Sequence, residues 1–166
     1  MGIQIFHVLE HNGNGGETML SDGFGALKAL FEQDNDAFKF LTEYNFRHEY
    51  KENGKPGHHL HSVGSVIGLN KINENVRRLR FNNFDRAPIQ PEDSELFYHC
   101  YSQLGKIINA EERAAQRKLD KGLVIFVDNY RVMHGRTGFD GNRTVSGKAF
   151  HTFLEFKTDV KSVSGH

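Results

Sequence analysis

The sequence predicts an α+β protein that is mainly β, with a β-sandwich or jelly-roll at its centre. Short runs rich in β-branched and aromatic residues recur along the chain, separated by clusters of Gly, Asn, Lys and Pro. A few other stretches repeat their apolar residues at the spacing of a helix. Many short strands interrupted by a few helices are typical of this fold class.

The first half of the chain is expected to contain strands at its start and in its middle, with two helices between them. Residues 3–11 form the first predicted strand, and turn residues at 12–16 lead into a second strand at Met19 and Leu20. The two helices carry apolar residues at helical spacing, Ala26, Leu27, Leu30 and Phe31 after a capping Asp22, and Phe38 and Leu41 after Asn35. The predicted middle strands are FRHEY at 46–50, HSVGSVIGL at 61–69 and VRRLRF at 76–81.

The second half is expected to contain the longest helix and then two further strands. The helix should follow Pro91, because acidic residues come next, where a helix dipole favours negative charge. Its apolar stripe consists of Phe97, Tyr101, Leu104, Ile107 and Ile108. GLVIFV at 122–127 is predicted to be a buried strand, and TVSGKAFHTFLEF at 144–156 is predicted to be another.

Length and composition limit the classes of function. A chain of 166 residues is long enough for one domain with a single hydrophobic core. Its 21 basic and 21 acidic residues give a formal net charge of zero, which argues against nucleic acid and anionic membranes as partners. The longest apolar run, at 123–127, is far shorter than the ~20 residues that cross a bilayer, so we expect a soluble protein. The lone Cys100 fits a reducing compartment.

The most informative segment for chemistry is DNYRVMHGRTGFDGNR at 128–143, which places His134, Arg136 and Arg143 around a Gly-containing turn. If 137–142 closes a β-hairpin, His134 and Arg143 lie roughly opposite each other with their side chains on one face. A neutral imidazole can coordinate a metal, and a guanidinium can bind a carboxylate with two hydrogen bonds. The alternative is a structural His and Arg that brace the hairpin, and this segment alone favours it.

Several segments, in the same order, resemble the iron(II)- and 2-oxoglutarate-dependent dioxygenases of carnitine biosynthesis. VIFVDNYRVMHGR resembles the family's D-N-aromatic-R-x-x-H-G-R string, which carries the last iron ligand and is followed by an Arg, here Arg143. GIQIFHVLEHNGNGGETMLSDGF, FRHEYKE and RFNNFDRAPI also match, so the resemblance extends from Gly2 to about Phe150. FRHEYKE, FNNFDR and the short distance from His134 to Arg143 are closer to the trimethyllysine dioxygenase branch than to its γ-butyrobetaine dioxygenase sibling.

The resemblance implies roles for individual residues around the metal. His134 would be the distal iron ligand, and Arg143 would form a salt bridge with the tail carboxylate of 2-oxoglutarate. The hydroxyl of Thr18 would contact the same carboxylate, and Arg136 would assist the co-substrate or pair with Asp128. The alternative for Thr18 is an ordinary strand threonine after a glycine turn.

Three further residues are candidates for contact with the substrate. Asn82 and Asn83 match the family's asparagine pair near the substrate, and the alternative is a turn that ends a strand, which asparagine favours. A quaternary ammonium substrate requires aromatic walls, because cation–π contact stabilises a charge that cannot be hydrogen-bonded. Tyr130 is the candidate for such a wall, with a core tyrosine beside Asp128 as the alternative.

The resemblance also implies cofactors, a reaction and a location. Fe(II) would be the cofactor, 2-oxoglutarate and O2 the co-substrates, and ascorbate the reductant. The expected reaction is hydroxylation of N6,N6,N6-trimethyllysine at C3, with γ-butyrobetaine hydroxylation as the enzymatic alternative. The non-enzymatic alternative is a β-rich accessory chain. A mitochondrial location is implied, with a cytoplasmic one as the alternative, and a homodimer is compatible with the sequence.

The sequence departs from the family at both ends. Enzymes of this class bind iron through two histidines and one carboxylate, and the proximal pair is His-x-Asp or His-x-Glu. No histidine here is followed two places later by Asp or Glu, and in the family that pair lies just before the segment matching Gly2. We therefore expect residues 1–156 to form an incomplete double-stranded β-helix with inserted helices, a truncated product that is inactive alone. KTDVKSVSGH at 157–166 is expected to be a divergent tail.

Two other histidine clusters compete as metal sites. In a strand, His59 and His61 of GHHLH share a face and offer two nitrogens suited to zinc, copper or nickel. The sequence offers no third ligand nearby, which favours a solvated loop or edge strand. His7 and His11 would also share a face of a strand, but they flank a turn and are expected at the surface.

Overall fold

The structure, a computed structural model, describes residues 2–52 and 57–150, except for the side chains of His58 and of residues 148–150. In chain order its elements are β1 Ile3–Gly15, β2 Thr18–Asp22, α1 Gly23–Gln33, α2 Asn35–Glu43, β3 Phe46–Glu52, β4 His58–Gly64, β5 Ile67–Leu69, β6 Val76–Leu79, α3 Pro91–Ile108, β7 Ala114–Arg117, β8 Val124–Asp128, β9 Val132–Arg136 and β10 Phe139–Phe150. Within the described part, the fold is thus mainly β sheet with few helices, as predicted. Residues 151–156 of the last predicted strand, and the predicted tail at 157–166, lie outside the described residues.

The chain separates into two compact units. The first combines the residues up to Asp22 with those from Ala110 onward, and the second is Gly23–Asn109. The first unit is built from two three-stranded antiparallel sheets, with strand orders β10-β1-β8 and β7-β2-β9. Because β1 and β2 are consecutive in the chain and each is central in its sheet, a single segment forms the middle of both sheets.

A continuous antiparallel ladder joins β1 and β2 to β10 and β9 where the chain crosses from one sheet to the other. At the crossing the Gly16 N–H donates to the Gly138 carbonyl at 3.0 Å, and the Thr137 N–H donates to the Glu17 carbonyl at 3.1 Å. The Thr137 hydroxyl also donates to Glu17 Oε2 at 2.6 Å. These bonds keep the two segments paired through the bend, so they form one folded ribbon.

The predicted β-hairpin across 137–142 is wrong. β9, which carries His134, pairs with β2, whereas β10, which carries Arg143, pairs with β1 in the other sheet. The reason is that Thr137 and Gly138 carry the chain from one sheet to the next instead of reversing it. The two side chains are therefore not cross-strand neighbours.

The predicted burial of the strand at 122–127 is also wrong for most of its residues. Val127 is 5% exposed, but Phe126 is 70% exposed. β8 is an edge strand of its sheet. Because side chains alternate along a strand, Phe126 points to the face opposite that of Val127. The run of apolar residues at 122–127 predicted burial, but it does not indicate which face of the strand is covered.

The second unit contains the three helices and two small sheets, β3–β4 and β5–β6. The predicted helices are confirmed, and α3, with 18 residues, is the longest of them. Fully buried side chains of this unit include Leu27, Leu30, Leu41, Phe97 and Leu104. The predicted strand HSVGSVIGL is divided, because β4 ends before β5 begins and the two have different partners. In the part of the chain that the structure describes, no helix is long and apolar enough to cross a membrane.

Asp34 ties the start of α2 to α3. Its Oδ1 accepts a hydrogen bond from the Ala37 N–H at 2.9 Å, as an N-cap does, and its Oδ2 accepts from Gln103 Nε2 at 3.0 Å. These two hydrogen bonds, in that order, lower the pKa of the Asp34 carboxyl. The cap therefore stabilises both the helix end and the packing of two helices.

His48 on β3 is a buried base in a basic surrounding. It is 2% exposed, and neither ring nitrogen has a hydrogen-bond partner in the described part of the protein. Burial, followed by the positive charges of Arg80, Arg78 and Arg86, lowers the pKa of His48 to about 4. The folded protein thus keeps this imidazole neutral at neutral pH.

We expect the free energy of unfolding to fall as the pH is lowered from about 6.5 towards about 4, with His48 contributing to the slope. The pKa of His48 is lower in the folded protein than in the unfolded chain. Its contribution to stability is therefore fully present above the unfolded pKa, and it is lost as the pH falls, because the unfolded chain takes up a proton at a higher pH than the folded protein does. Urea unfolding at several pH values measures the slope. His48→Gln should flatten it, and His7→Gln, at an exposed histidine, should not. Equal slopes in the wild type and His48→Gln would contradict the assignment.

Gly16→Ala should destabilise the first unit, because Gly16 has φ +70° and a Cβ there would lie 2.8 Å from His11 Nε2 and 3.3 Å from Arg143 Cδ. Left-handed backbone at a non-glycine residue costs about 1–3 kcal/mol. Gly138→Ala is the matched control on the opposite strand, since a Cβ at Gly138 meets nothing within 4 Å. Chemical denaturation of both variants measures the difference, and equal losses of stability would show that the crossing does not require glycine at 16.

Candidate functional site

His134 lies on β9 opposite Leu20, in the second sheet of the first unit. Its ring stands edge-on to the ring of Phe6 in the first sheet, with 5.4 Å between the centroids. Its Nδ1 lies 3.3 Å from the Val132 carbonyl oxygen, and because a carbonyl only accepts, Nδ1 carries the proton in this contact. In the neutral ring with this tautomer, Nε2 is the nitrogen that can bind a metal. The side chain is exposed, so this nitrogen is accessible.

Arg143 lies on β10 opposite His11, in the first sheet. Its Nε is buried and has no hydrogen-bond acceptor among the residues described. Burial, followed by the positive charge of Arg136, lowers the pKa of the Arg143 guanidinium. A buried donor with no acceptor and a like charge nearby is unfavourable, and a bound anion would relieve both effects. This part of the site therefore favours an anionic ligand.

The faces that carry His134 and Arg143 both adjoin Phe6. Arg143 and Gly147 are four residues apart on β10, so their side-chain positions share a face of the strand. A Cβ at Gly147 would lie 3.5 Å from Phe6 Cδ1, which shows that Phe6 covers this face. Phe6 in turn contacts the His134 ring. The imidazole and the guanidinium thus extend from two different sheets towards the side on which Phe6 lies.

Thr18 and Arg136 form a cross-strand pair on β2 and β9. Arg136 comes two residues after His134 on β9, and Thr18 lies opposite Arg136. The three side chains therefore share one face of the second sheet. Thr18 is 8% exposed, and the Arg136 guanidinium lies over the Phe139 ring at 5.1 Å. The structure therefore brings Thr18, Arg136 and Arg143 to one region, where the charges of the two arginines interact.

Sequence reasoning assigned no role at this site to Gly16 or His11. Gly16 approaches Arg143 too closely to allow a side chain. His11 is part-buried, with Nδ1 3.1 Å from the Leu119 carbonyl oxygen and Nε2 3.0 Å from that of Gly15. Since both ring nitrogens face carbonyl groups, His11 supports the glycine turn and is not available to a metal. His7 and His11 were both expected at the surface, and His7 is exposed whereas His11 is not. The sequence signal for the crossing was the pair Gly15-Gly16.

The candidate substrate residues are divided between the units. Asn82 Nδ2 donates to Asp85 at 2.7 Å, and its Oδ1 accepts from the Phe84 N–H at 2.8 Å. This is the turn that was expected as the alternative for the asparagines, and Asn83 beside it is exposed. Tyr130 is half-buried in the turn between β8 and β9 of the first unit.

Asp128 makes local contacts at the start of the same turn. Its Oδ1 accepts a hydrogen bond from the Tyr130 N–H at 3.0 Å. An Asp128–Arg136 pair was one of the two expectations for Arg136, but no such ion pair occurs among the described residues. The positive charge of Arg136 acts on Arg143, and the other expectation, assistance to an anionic co-substrate, stays a prediction.

The second unit holds a cluster that sequence reasoning rejected. His59 and His61 were expected to lack a third ligand, and this is wrong, because Glu49 on β3 pairs directly with His61 on β4. His59 Nε2 lies 2.8 Å from Glu49 Oε1. Glu49 precedes His59 by ten residues, so the strand register, and not sequence proximity, brings it there.

The second unit also contains an aromatic group around a cation. The guanidinium of Arg86 lies over the rings of Phe97, Tyr98 and Tyr101, at 5.5, 4.9 and 5.1 Å from their centroids. Such contacts stabilise a desolvated cation. These aromatic walls are therefore already used by a side chain of the protein itself.

The residues of the first unit fit a dicarboxylate better than they fit iron. Glu49, His59 and His61 are the group of three potential metal ligands found in residues 2–52 and 57–150, and His134 is not part of such a group there. A site of two histidines and one carboxylate needs three ligands, of which His134 offers one. The two guanidinium groups and the Thr18 hydroxyl, by contrast, are donors suited to a carboxylate.

Comparisons with known proteins agree with the resemblance seen in the sequence. The profile of the family described as taurine catabolism dioxygenase TauD, TfdA family matches residues 1–147. The mitochondrial trimethyllysine dioxygenase of Bos taurus is 37% identical over 150 residues, which cover 88% of this chain and 36% of that protein. The γ-butyrobetaine dioxygenase of Pseudomonas sp. is 29% identical over 151 residues, which cover 88% of this chain and 38% of that protein. The chain thus spans just over a third of the length of these relatives.

Solved structures share the fold at low sequence identity. AAD-2 in complex with Mn(II) and N-oxalylglycine matches with a TM-score of 0.67 at 14% identity, over 88% of this chain and 61% of that one. A taurine dioxygenase from Burkholderia xenovorans matches with a TM-score of 0.63 at 14% identity, over 87% of this chain and 51% of that one. Since the family profile covers most of the chain and the relatives and the fold agree with it, this protein belongs to the TauD, TfdA family of dioxygenases.

Proposed function

We propose that the protein is part of an iron(II)- and 2-oxoglutarate-dependent dioxygenase that hydroxylates N6,N6,N6-trimethyllysine at C3 in carnitine biosynthesis. The observation that carries the proposal is the buried Nε of Arg143, which has no acceptor in the described residues and lies near a second guanidinium. A dicarboxylate co-substrate is the ligand that this arrangement favours. The 37% identity to the bovine trimethyllysine dioxygenase supports the choice of substrate.

Arg143 binds the tail carboxylate of 2-oxoglutarate in this proposal. A guanidinium can donate two parallel hydrogen bonds to a carboxylate, and burial strengthens them because water does not compete. The buried hydroxyl of Thr18 donates a further hydrogen bond. Arg136, held over Phe139, adds positive charge to the same region.

His134 is one of the iron ligands, through Nε2. Bound iron would supply the oxidative chemistry in which 2-oxoglutarate is decarboxylated to succinate and one oxygen atom of O2 enters a C–H bond, and ascorbate would keep the metal reduced. Two more protein ligands are needed for a two-histidine, one-carboxylate set. We propose that they come from the portion of the enzyme beyond the 36% of the relatives' length that this chain spans, and that this chain alone is inactive.

The folded ribbon of the first unit is proposed to be part of a double-stranded β-helix, or jelly-roll. Two three-stranded sheets that share their central segment support this, because a jelly-roll is made of two sheets connected by strands that continue from one to the other. The bovine relative and a human one are both mitochondrial trimethyllysine dioxygenases, which supports a mitochondrial location. A homodimer is a further proposal, since closed dimers are the commonest assemblies of soluble proteins.

The substrate assignment rests on relatives and on three residues. Tyr130 is proposed as an aromatic wall for the trimethylammonium group, and Asn82 and Asn83 as polar contacts. γ-Butyrobetaine is the second candidate substrate, supported by the Pseudomonas relative at 29% identity. A non-catalytic accessory chain is the third possibility to test, and it is supported by the observation that, in residues 2–52 and 57–150, His134 is not part of a group of three potential metal ligands.

Arg143→Gln should weaken the binding of 2-oxoglutarate, measured by calorimetric titration with the co-substrate or with N-oxalylglycine. Loss of hydrogen bonds to a charged group costs about 1.5–3 kcal/mol, or roughly 10- to 150-fold in affinity. Arg131→Gln is the control, because Arg131 is exposed and its guanidinium binds Asp22. Unchanged affinity in Arg143→Gln, or equal losses in both variants, would remove Arg143 from the co-substrate site.

A chimera tests the reaction itself. The segment of the bovine trimethyllysine dioxygenase that matches this chain would be replaced by this chain, so that the remaining ligands are supplied. We expect the chimera to hydroxylate trimethyllysine and to form succinate, His134→Ala in the chimera to be inactive, and the 166-residue chain alone to be inactive.

The outcomes of the chimera experiment separate the alternatives. Parallel assays with γ-butyrobetaine measure substrate preference, and a higher kcat/KM for that substrate would contradict the proposed one. A chimera that folds, by circular dichroism, and binds 2-oxoglutarate but hydroxylates neither substrate would support the accessory chain. Full activity of His134→Ala would exclude His134 as a ligand.

A further inference from the structure

We propose that Glu49, His59 and His61 form a zinc-binding site on the β3–β4 sheet, and that this site does not involve His134. One ligand atom from each of the three side chains lies within 4.8 Å of those of the other two. Strand register explains the cluster, because Glu49 pairs with His61 and His59 lies two residues before His61 on β4. The three side chains therefore share one face of the sheet.

The geometry suits zinc. The rings of His59 and His61 have centroids 4.0 Å apart, and His59 Nε2 lies 2.8 Å from Glu49 Oε1. Tetrahedral ligand atoms at ~2.1 Å from a zinc ion are ~3.4 Å from one another, so small rotations of these side chains would place them. Two imidazoles and one carboxylate are a common zinc ligand set, with water in the fourth position.

The site is accessible and Glu49 is ready to bind a cation. His59 and His61 are exposed, and 21% of the Glu49 side chain is exposed. Hydrogen bonds from Lys51 and then from His59 lower the pKa of Glu49 to about 2, so its carboxylate is ionised at neutral pH. Zinc binds the neutral form of each imidazole, so binding releases protons from any imidazole that carries one.

Lys51 competes with the metal. Its ammonium group contacts Glu49 Oε1, the same oxygen that contacts His59, and Lys51 pairs with His59 across the strands. Zinc must displace this ammonium group from the carboxylate. Removing the charge at 51 should therefore strengthen zinc binding, which a purely structural ion pair does not predict.

When zinc is bound, it links β3 to β4 through side chains of both strands. A two-stranded sheet alone is only marginally stable, so a metal that bridges its strands would stabilise the pairing. Binding to the folded state alone would also raise the apparent stability of the protein. The ligand is thus a divalent cation intermediate between hard and soft metal ions, and we propose zinc.

The test is a zinc titration of the whole 166-residue chain in competition with a chromophoric zinc indicator. We expect one zinc ion per chain at this site, and a loss of affinity of at least about 10-fold in His59→Ala, His61→Ala and Glu49→Gln, since even an outer partner of a zinc ligand contributes about 10–100-fold. Lys51→Met should raise the affinity. His7→Ala, which removes an exposed histidine elsewhere, should leave it unchanged.

Each outcome decides the question. Circular dichroism of each variant shows that it is folded, which is expected for substitutions at accessible positions. Zinc affinity that survives in the three ligand variants, or that is lost in His134→Ala, would overturn the proposal. Unchanged affinity in Lys51→Met would also count against it, because the carboxylate oxygen that Lys51 contacts would then not be a zinc ligand.

Discussion

The pairing of β1 and β2 with β10 and β9 is the constraint on which the candidate co-substrate site depends. One ladder fixes Arg143 opposite His11 in the first sheet and His134 opposite Leu20 in the second. A slip of one residue would turn every side chain of a strand to the other face. The crossing at Gly16 therefore does more than change direction, because the register set after the bulge at Val8 and Glu10 continues through it into the second sheet.

In each unit a basic side chain lies near other positive charges, and the two units accommodate it differently. In the first unit, the part-buried Arg143 lies near Arg136, and its buried Nε has no acceptor among the described residues, so the charge remains and favours an external anion. In the second unit, His48 lies among Arg78, Arg80 and Arg86, and it avoids repulsion by staying neutral. Histidine can lose its proton at moderate cost, whereas arginine cannot, so of these two groups Arg143 is the one that favours a bound anion.

The sequence predicted those features that depend on neighbouring residues. The helices follow from apolar spacing, and the resemblance named His134, Arg143, Thr18 and Arg136, three of which the structure brings together in one region. The roles of these residues remain predictions. The pairing of strands was not predictable locally, because Thr137 and Gly138 could reverse the chain or carry it to another sheet. Glu49 was missed for the same reason, since only the register of β3 and β4 places it beside the histidines.

Strand register also explains why the two histidine sites differ in completeness. Glu49, His59 and His61 come from two adjacent strands close in sequence, so a small sheet assembles three ligands by itself. A site that leaves open positions for a co-substrate and oxygen must instead gather ligands around a cavity, and strands distant in sequence line such a cavity. In the proposed function, the ribbon of the first unit supplies the residues that bind the dicarboxylate. If Arg143 and Thr18 bind the co-substrate as proposed, co-substrate binding does not require the full set of metal ligands, because within the described residues His134 is not part of a group of three potential ligands.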